Sequence, residues 1–209
     1  MSDLKNKILK PVSKAFQEDA IRVLRLARFK AKFPDFILHE SFYPLIAEMK
    51  NNGELNSLQP ERVRTEMEKA FQEEAPSVFF ETLKILDVLD ALFPELHALI
   101  DVPQVQQYHP EGDAFTHTMM VLDAARKQSV DYTCLYAVLL HDLGKGITPA
   151  SILPQHIGHE INGIPLVKEF LNRFSISKST AFILNFTKYH LQVHRCLEMR
   201  YGKIVDLLD

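Results

Sequence analysis

Residues 132–140, Tyr-Thr-Cys-Leu-Tyr-Ala-Val-Leu-Leu, form an apolar run with no polar face, and the run ends on His141-Asp142-Leu143-Gly144-Lys145. A helix that is apolar all round is covered on most sides, so this stretch commits the chain to a layered helical core. An imidazole and a carboxylate side by side are costly to bury unless both find partners. Gly144 offers the helix a stop signal, and the negative partial charge of a helix C-terminus favours a cation nearby. The residues alone therefore point to a metal site on His141 and Asp142.

The rest of the chain agrees with an all-α fold. Alternating apolar and polar residues are scarce, no internal repeat is present, and seven glycines in 209 residues suit helices joined by short turns. A net charge of −3 argues against a uniformly basic nucleic-acid binder and leaves room for a local basic patch. Cys134 and Cys196 lie far apart in apolar or helical contexts, which favours a reduced, cytoplasmic protein over a disulfide framework. No apolar stretch reaches the roughly 18 residues of a membrane span, and the polar start, Met1 to Lys7, is no signal peptide.

A helix is predicted from Ser13, its cap, to about Phe33 before Pro34. At 100° per residue Val23, Leu26, Phe29 and Phe33 share a face with Asp19 and Arg22. Those charges read either as an i,i+3 pair at the core margin or as ligand-binding groups. Arg25 and Arg28 continue a basic stripe of the kind usually solvated. The segment from Glu18-Asp19-Ala20-Ile21-Arg22 to Phe29 resembles the Glu-Asp-x-x-Arg motif of bacterial tRNA nucleotidyltransferases, the CCA-adding enzymes, with Ala20 where that family usually has Pro. The resemblance implies that Asp19 and Arg22 bond the base edge of incoming CTP or ATP, with Arg25 as a further nucleotide contact. A carboxylate accepting from an exocyclic amine beside a guanidinium donating to ring acceptors suits that task. The family's Gly-Ser loop and paired carboxylates, which use magnesium for nucleotidyl transfer, belong upstream, where this chain has 17 residues and only Asp3. The chain thus reads as the rear of a longer enzyme, cut by engineering or in the gene, and CCA addition by it alone is not expected.

Between Asp35 and Leu99 three or so helices are predicted, broken at Asn51-Asn52-Gly53 and restarted at Pro60 and Ser77. Residues 53–94 resemble the family's neck. Glu61, Glu66, Glu68 and Lys69 read there as a wet surface.

Beyond Pro103 lie seven of the nine histidines. Several histidines at compatible helix positions are more often ligands than lone core residues. His117 shares the buried side predicted for Met120, Val121, Ala124 and Ala125, and an antiparallel partner helix brings it to His141 and Asp142. This pattern resembles the HD-domain metal-dependent phosphohydrolases, and Tyr108-His109-Pro110-Glu111 through Gly144-Lys145 resembles the version appended to some bacterial CCA-adding enzymes. His159, opening a helix that Pro165 is expected to bend or shorten early, resembles the family's third histidine. His190 aligns with Phe182, Phe186 and Val193 as a possible fourth ligand. His156 reads as more exposed, and His194 either assists or is solvated. The family's pattern closes with a distal aspartate that supplies another metal oxygen; here Leu191 follows His190, and Asp206 and Asp209 are the later aspartates.

Together these readings give an all-α chain: 1–33 the tail of a nucleotidyltransferase head, 34–100 a helical neck and body, 101–209 an HD-type helical bundle. His117, His141, Asp142, His159 and His190 are the candidate metal ligands. His141 and Asp142 are the catalytic candidates, with Lys145 or His159 balancing phosphate charge or moving a proton. The resemblance implies 2′,3′-cyclic phosphodiesterase, 2′-nucleotidase and phosphatase activity on the tRNA 3′ end. It also implies nickel, with manganese, cobalt or magnesium as substitutes, in a monomer or homodimer away from membranes. The competing reading is a non-catalytic tRNA-binding module with a structural or vestigial metal site, in which Arg22, Arg25, Arg28, Lys30 and Lys32 meet RNA phosphates. A third is a self-standing nucleotide phosphohydrolase unrelated to tRNA.

Overall fold

The computed structural model describes residues 2–128 and 131–194, so the readings on Cys196, Asp206, Asp209 and the side chain of His194 fall outside what is described. Eight helices of nine or more residues build the described fold: α1 Ile21–Lys32, α2 Phe42–Asn51, α3 Pro60–Ala70, α4 Ser77–Ile85, α5 Ala114–Gln128, α6 Tyr132–Leu140, α7 His159–Arg173 and α8 Thr180–His194. The one sheet among the described residues is a parallel pair, Ile8 beside Ile37 and Leu9 beside Leu38. None of the described helices is long and apolar enough to cross a membrane.

The first predicted helix is two elements. Ser13 Oγ accepts from the Ala15 N–H and starts a 3-10 turn, Lys14–Glu18. Asp19 then takes an extended backbone, and its Oδ1 accepts from the Ile21 N–H to start α1. The buried face of α1 is Ile21, Val23, Leu24, Leu26, Ala27 and Ala31, which packs on α3 and α4; Phe29 and Phe33, expected on it, are 41% and 40% exposed.

Helix α6 is buried from Leu135 to Leu140, as its composition requires, and lies between α5 and α8. Asp131 caps it, accepting from the Thr133 N–H. After Leu140 the chain does not stop on a left-handed glycine. It tightens into a 3-10 turn, Leu143–Ile147, laid against α7. A Cβ on Gly144 would stand 2.0 Å from the His159 carbonyl oxygen, and one on Gly163 3.0 Å from the Gly144 nitrogen, so the two backbones touch because both residues lack side chains. Helix α7 runs unbroken through Pro165, contrary to the shortened first turn expected of it.

Rings of Phe71, Phe79, Phe80, Phe93 and Phe170 are all but inaccessible to solvent and pack edge or face on one another, with centroid separations between 5.1 and 6.5 Å. They join α3 and α4 to α7, and one continuous apolar core extends from Ala20 to Ile183.

Candidate metal centre

The centre is built around one carboxylate. Asp142, 1% exposed, follows α6, and four imidazoles from four helices or their ends close on it. His141 Nε2 is 3.2 Å and His117 Nε2 3.9 Å from Asp142 Oδ2; His159 Nε2 is 3.1 Å and His190 Nε2 3.5 Å from Oδ1. Lys145 Nζ lies 2.7 Å from Oδ2 and also donates to Gln104 Oε1 at 2.7 Å. Both Lys145 and Gln104 are buried, so the ammonium faces Asp142 out of bulk solvent.

The faces that deliver these rings differ from the predicted ones. On α5 the buried residues are Ala114, Phe115, Thr118, Met119 and Leu122, while Met120 is 56% exposed; His117 therefore reaches the site from the edge of the helix. On α8 the buried face is Ile183, Thr187 and His190, and Phe182 and Val193 point to solvent.

The orientation of each ring follows from its other nitrogen. Nδ1 of His141, His159 and His190 lies 2.7, 2.6 and 2.8 Å from the carbonyl oxygen three residues earlier: Val138, His156 and Thr187. A carbonyl can only accept, so Nδ1–H donates in each, and the neutral ring presents the Nε2 lone pair to the centre. His117 Nδ1 donates to Glu111 Oε1 at 2.5 Å, with the same result.

Lone pairs pointed at a carboxylate repel it unless something positive lies between them. His159 Nε2 and His190 Nε2 are 3.3 Å apart, and neither Asp142 oxygen accepts a hydrogen bond of sound geometry although both are buried. Ligand atoms about 2.1 Å from a shared ion stand roughly 3 to 3.5 Å apart. The donor atoms fall into two groups that share Asp142, His117 with His141 and His159 with His190, and in each the imidazole nitrogens and carboxylate suit a divalent transition metal. Without metal the rings can instead carry a proton towards Asp142; burial favours a neutral carboxyl, yet the charge on His141 and hydrogen bonds from His141, His159 and His190 then hold it well below its usual range. Burial lowers the His117 pKa; for His141 the adjoining Asp142 charge overcomes burial and raises it.

His156 is outside the centre. Its Nδ1 meets Thr148 Oγ1 at 2.8 Å and its Nε2 the Pro103 carbonyl at 3.0 Å, so it staples two loops together. Glu111 and Gln104 carry no role in the sequence reading; the His109-Pro110-Glu111 spacing was the available signal for the first, and nothing local marks the second.

In the N-terminal motif, Asp19 does not pair with Arg22. Its Oδ2 meets Arg62 at 2.7 Å, and that hydrogen bond lowers its pKa against the opposing effect of burial. Arg22 instead bonds the Ala15 carbonyl and pairs with Glu18 at 3.6 Å. Arg22 and Arg25 both line a cleft of about 380 Å³ with Ser13, Phe16 and Phe29. Arg28 is no solvated stripe residue. It and Lys69 pair with Glu66, at 2.7 and 3.1 Å, and Glu66 is 3% exposed where a wet surface was expected.

Two family descriptions match the chain: "Probable RNA and SrmB- binding site of polymerase A" over residues 35–100, and "HD domain" over residues 114–209. The multifunctional CCA protein of Thioalkalivibrio sulfidiphilus is 43% identical over 211 residues, covering 100% of this chain and 52% of that protein. The protein of the same name from Mannheimia succiniciproducens is 41% identical over 217 residues, with 100% and 52% covered. Over its whole length the chain is homologous to multifunctional CCA proteins. It spans about half the length of these curated relatives and corresponds to their C-terminal half. The fold is likewise that of the CCA-adding enzymes: a solved structure of one in an apo form superposes with a TM-score of 0.62 at 19% identity, over 100% of this chain and 44% of that one.

Proposed function

We propose that this chain is the repair-competent rear half of a tRNA 3′-CCA-adding enzyme, and that its HD domain is a metal-dependent phosphohydrolase. The observation that carries the reading is the convergence of four Nε2 atoms, in two groups, on the buried Asp142 carboxylate. His117, His141, Asp142, His159 and His190 would hold the metal, as two groups that share Asp142, with nickel as the first choice and manganese, cobalt or magnesium as substitutes. Such an ion lowers the pKa of water and polarises a phosphoryl oxygen. The protein's own contribution is to fix the rings through their Nδ1 hydrogen bonds, to keep Asp142 ionised, and to exclude bulk water from the carboxylate. Lys145 orients Asp142 and balances its charge. His159 is the other catalytic candidate, able to move a proton only where its Nε2 is not a ligand to the metal.

The substrate class proposed is a ribose 2′,3′-cyclic or 2′-phosphate at a tRNA 3′ end. In the longer protein, Arg22 and Arg25 would face CTP or ATP across their shared cleft, with Asp19 exchanging Arg62 for a base edge and magnesium serving the transferase part. We retain the division into 1–33, 34–100 and 101–209, and a cytoplasmic location.

The test is hydrolysis of 2′,3′-cyclic AMP by the purified chain loaded with nickel or manganese. Wild type should turn over and His141→Ala should not. Equal inactivity of the two, with tRNA still bound, would replace this reading by the non-catalytic tRNA-binding module, which the RNA-binding family match over residues 35–100 favours.

A further inference from the structure

Three of the four converging imidazoles are set by their own backbone, through the carbonyl three residues earlier. His117 is the exception. The equivalent carbonyl, Ala114, accepts from Thr118 Oγ1 at 2.8 Å. The His117 ring turns instead to the loop that precedes α5 and donates to Glu111 Oε1. The same oxygen lies 3.0 Å from His109 Nδ1, and the His109 ring stands edge-on to His117 with centroids 4.6 Å apart. Glu111 is mostly buried, its side chain 12% exposed.

The loop is itself pinned at both ends of its function. Asp113 Oδ1 accepts from the Thr116 N–H to start α5, Asp113 Oδ2 accepts from the Asp101 N–H at 2.7 Å, and Gly112 makes the intervening turn at φ +113°, a conformation other residues rarely adopt.

We propose that Glu111 is the positioning residue of His117: its carboxylate, held on a pinned loop, fixes the His117 ring in the Nδ1–H form and aims Nε2 at Asp142. This rests on the metal-site reading above and adds a residue to it. A carboxylate behind a ligating imidazole also makes that nitrogen a stronger donor, and loss of such a partner costs 10- to 100-fold in metal affinity. Because its partner is a side chain, His117 is the one ring of the four whose orientation a point substitution can release.

The test reads the ring directly in metal-free protein. In ¹⁵N-resolved imidazole spectra, wild-type His117 should be the Nδ1–H tautomer. Glu111→Ala should turn it into a mixture and weaken manganese binding, followed by calorimetry, at least tenfold. Glu111→Gln, which keeps an accepting oxygen, should hold the tautomer and restore affinity to within about threefold, and His109→Ala should leave the His117 tautomer unchanged. A wild-type His117 found as Nε2–H overturns the proposal whatever the variants do. So does a folded Glu111→Ala protein with an unchanged tautomer and manganese affinity within twofold of wild type. A tautomer that responds as described in a chain that hydrolyses no cyclic phosphate would sink the proposed activity and leave Glu111 in its role.

Discussion

At the scale of single residues, Asp142 has the largest consequence, because one side chain faces four ring nitrogens and an ammonium. Asp142→Asn keeps the volume and removes the charge. Manganese binding by equilibrium dialysis should fall at least about 100-fold, since an amide is a far poorer ligand and leaves Lys145 unpaired in the interior. Glu66 gives a prediction in pH. Burial favours its neutral form, but Arg28 and Lys69 more than offset this and lower its pKa below 4.5. A group depressed on folding stabilises the native state above its unfolded pKa, and that stabilisation disappears as pH falls through the folded value. The melting temperature of wild type should therefore decline below about pH 4.5, and Glu66→Gln should flatten that limb while lowering the melting temperature near neutrality. His141 and Asp142 were legible in the sequence because a polar pair at the end of an apolar run is a local contradiction. The Glu66 and Asp19 pairs were not, since their partners lie 38 and 43 residues away and only the packing of α1 on α3 brings them together.

Among elements, the decisive contact is backbone on backbone, the Leu143–Ile147 turn against α7. Gly144→Ala would drive a methyl into the His159 carbonyl, and neither chain can yield cheaply. Denaturant unfolding should show a loss of roughly 1–3 kcal/mol, and metal affinity should fall with it because His159 is displaced from Asp142. In the sequence Gly144 read as a helix stop. The close approach that explains it depends on Gly163, from an element whose position the local pattern does not reveal. The helices themselves were legible from periodicity, but their faces were less so. On α5 and α8 apolar residues occur on more than one side, so Met120, Phe182 and Val193 suggested a buried stripe where the buried groups include Thr118 and Thr187. The start of α1 was misplaced for a different reason: Asp19 caps it from within an apolar pattern that continues unbroken on both sides.

For the whole molecule, the shared aromatic core sets cooperativity. Phe93 contacts Phe79, Phe80, Phe170 and Phe174, and so touches both the helices that carry the RNA-binding family match and those of the HD match. Arg64 donates to the Phe174 and Ser175 carbonyls and Arg173 pairs with Glu95, tying the same two regions at the surface. Calorimetry should therefore show a single transition, and Phe93→Ala should lower it as one unit by about 3–5 kcal/mol. Two separated transitions would refute this coupling. The imidazole cluster adds a further constraint of its own. Metal held by His117 and His141 on one side of Asp142 and by His159 and His190 on the other would tie four helices through that carboxylate, and each tenfold excess of free ion over its dissociation constant adds about 1.4 kcal/mol to the folded state. The chain's resistance to proteases would then rise and fall with the supply of divalent ions around it, making its lifetime a readout of metal abundance.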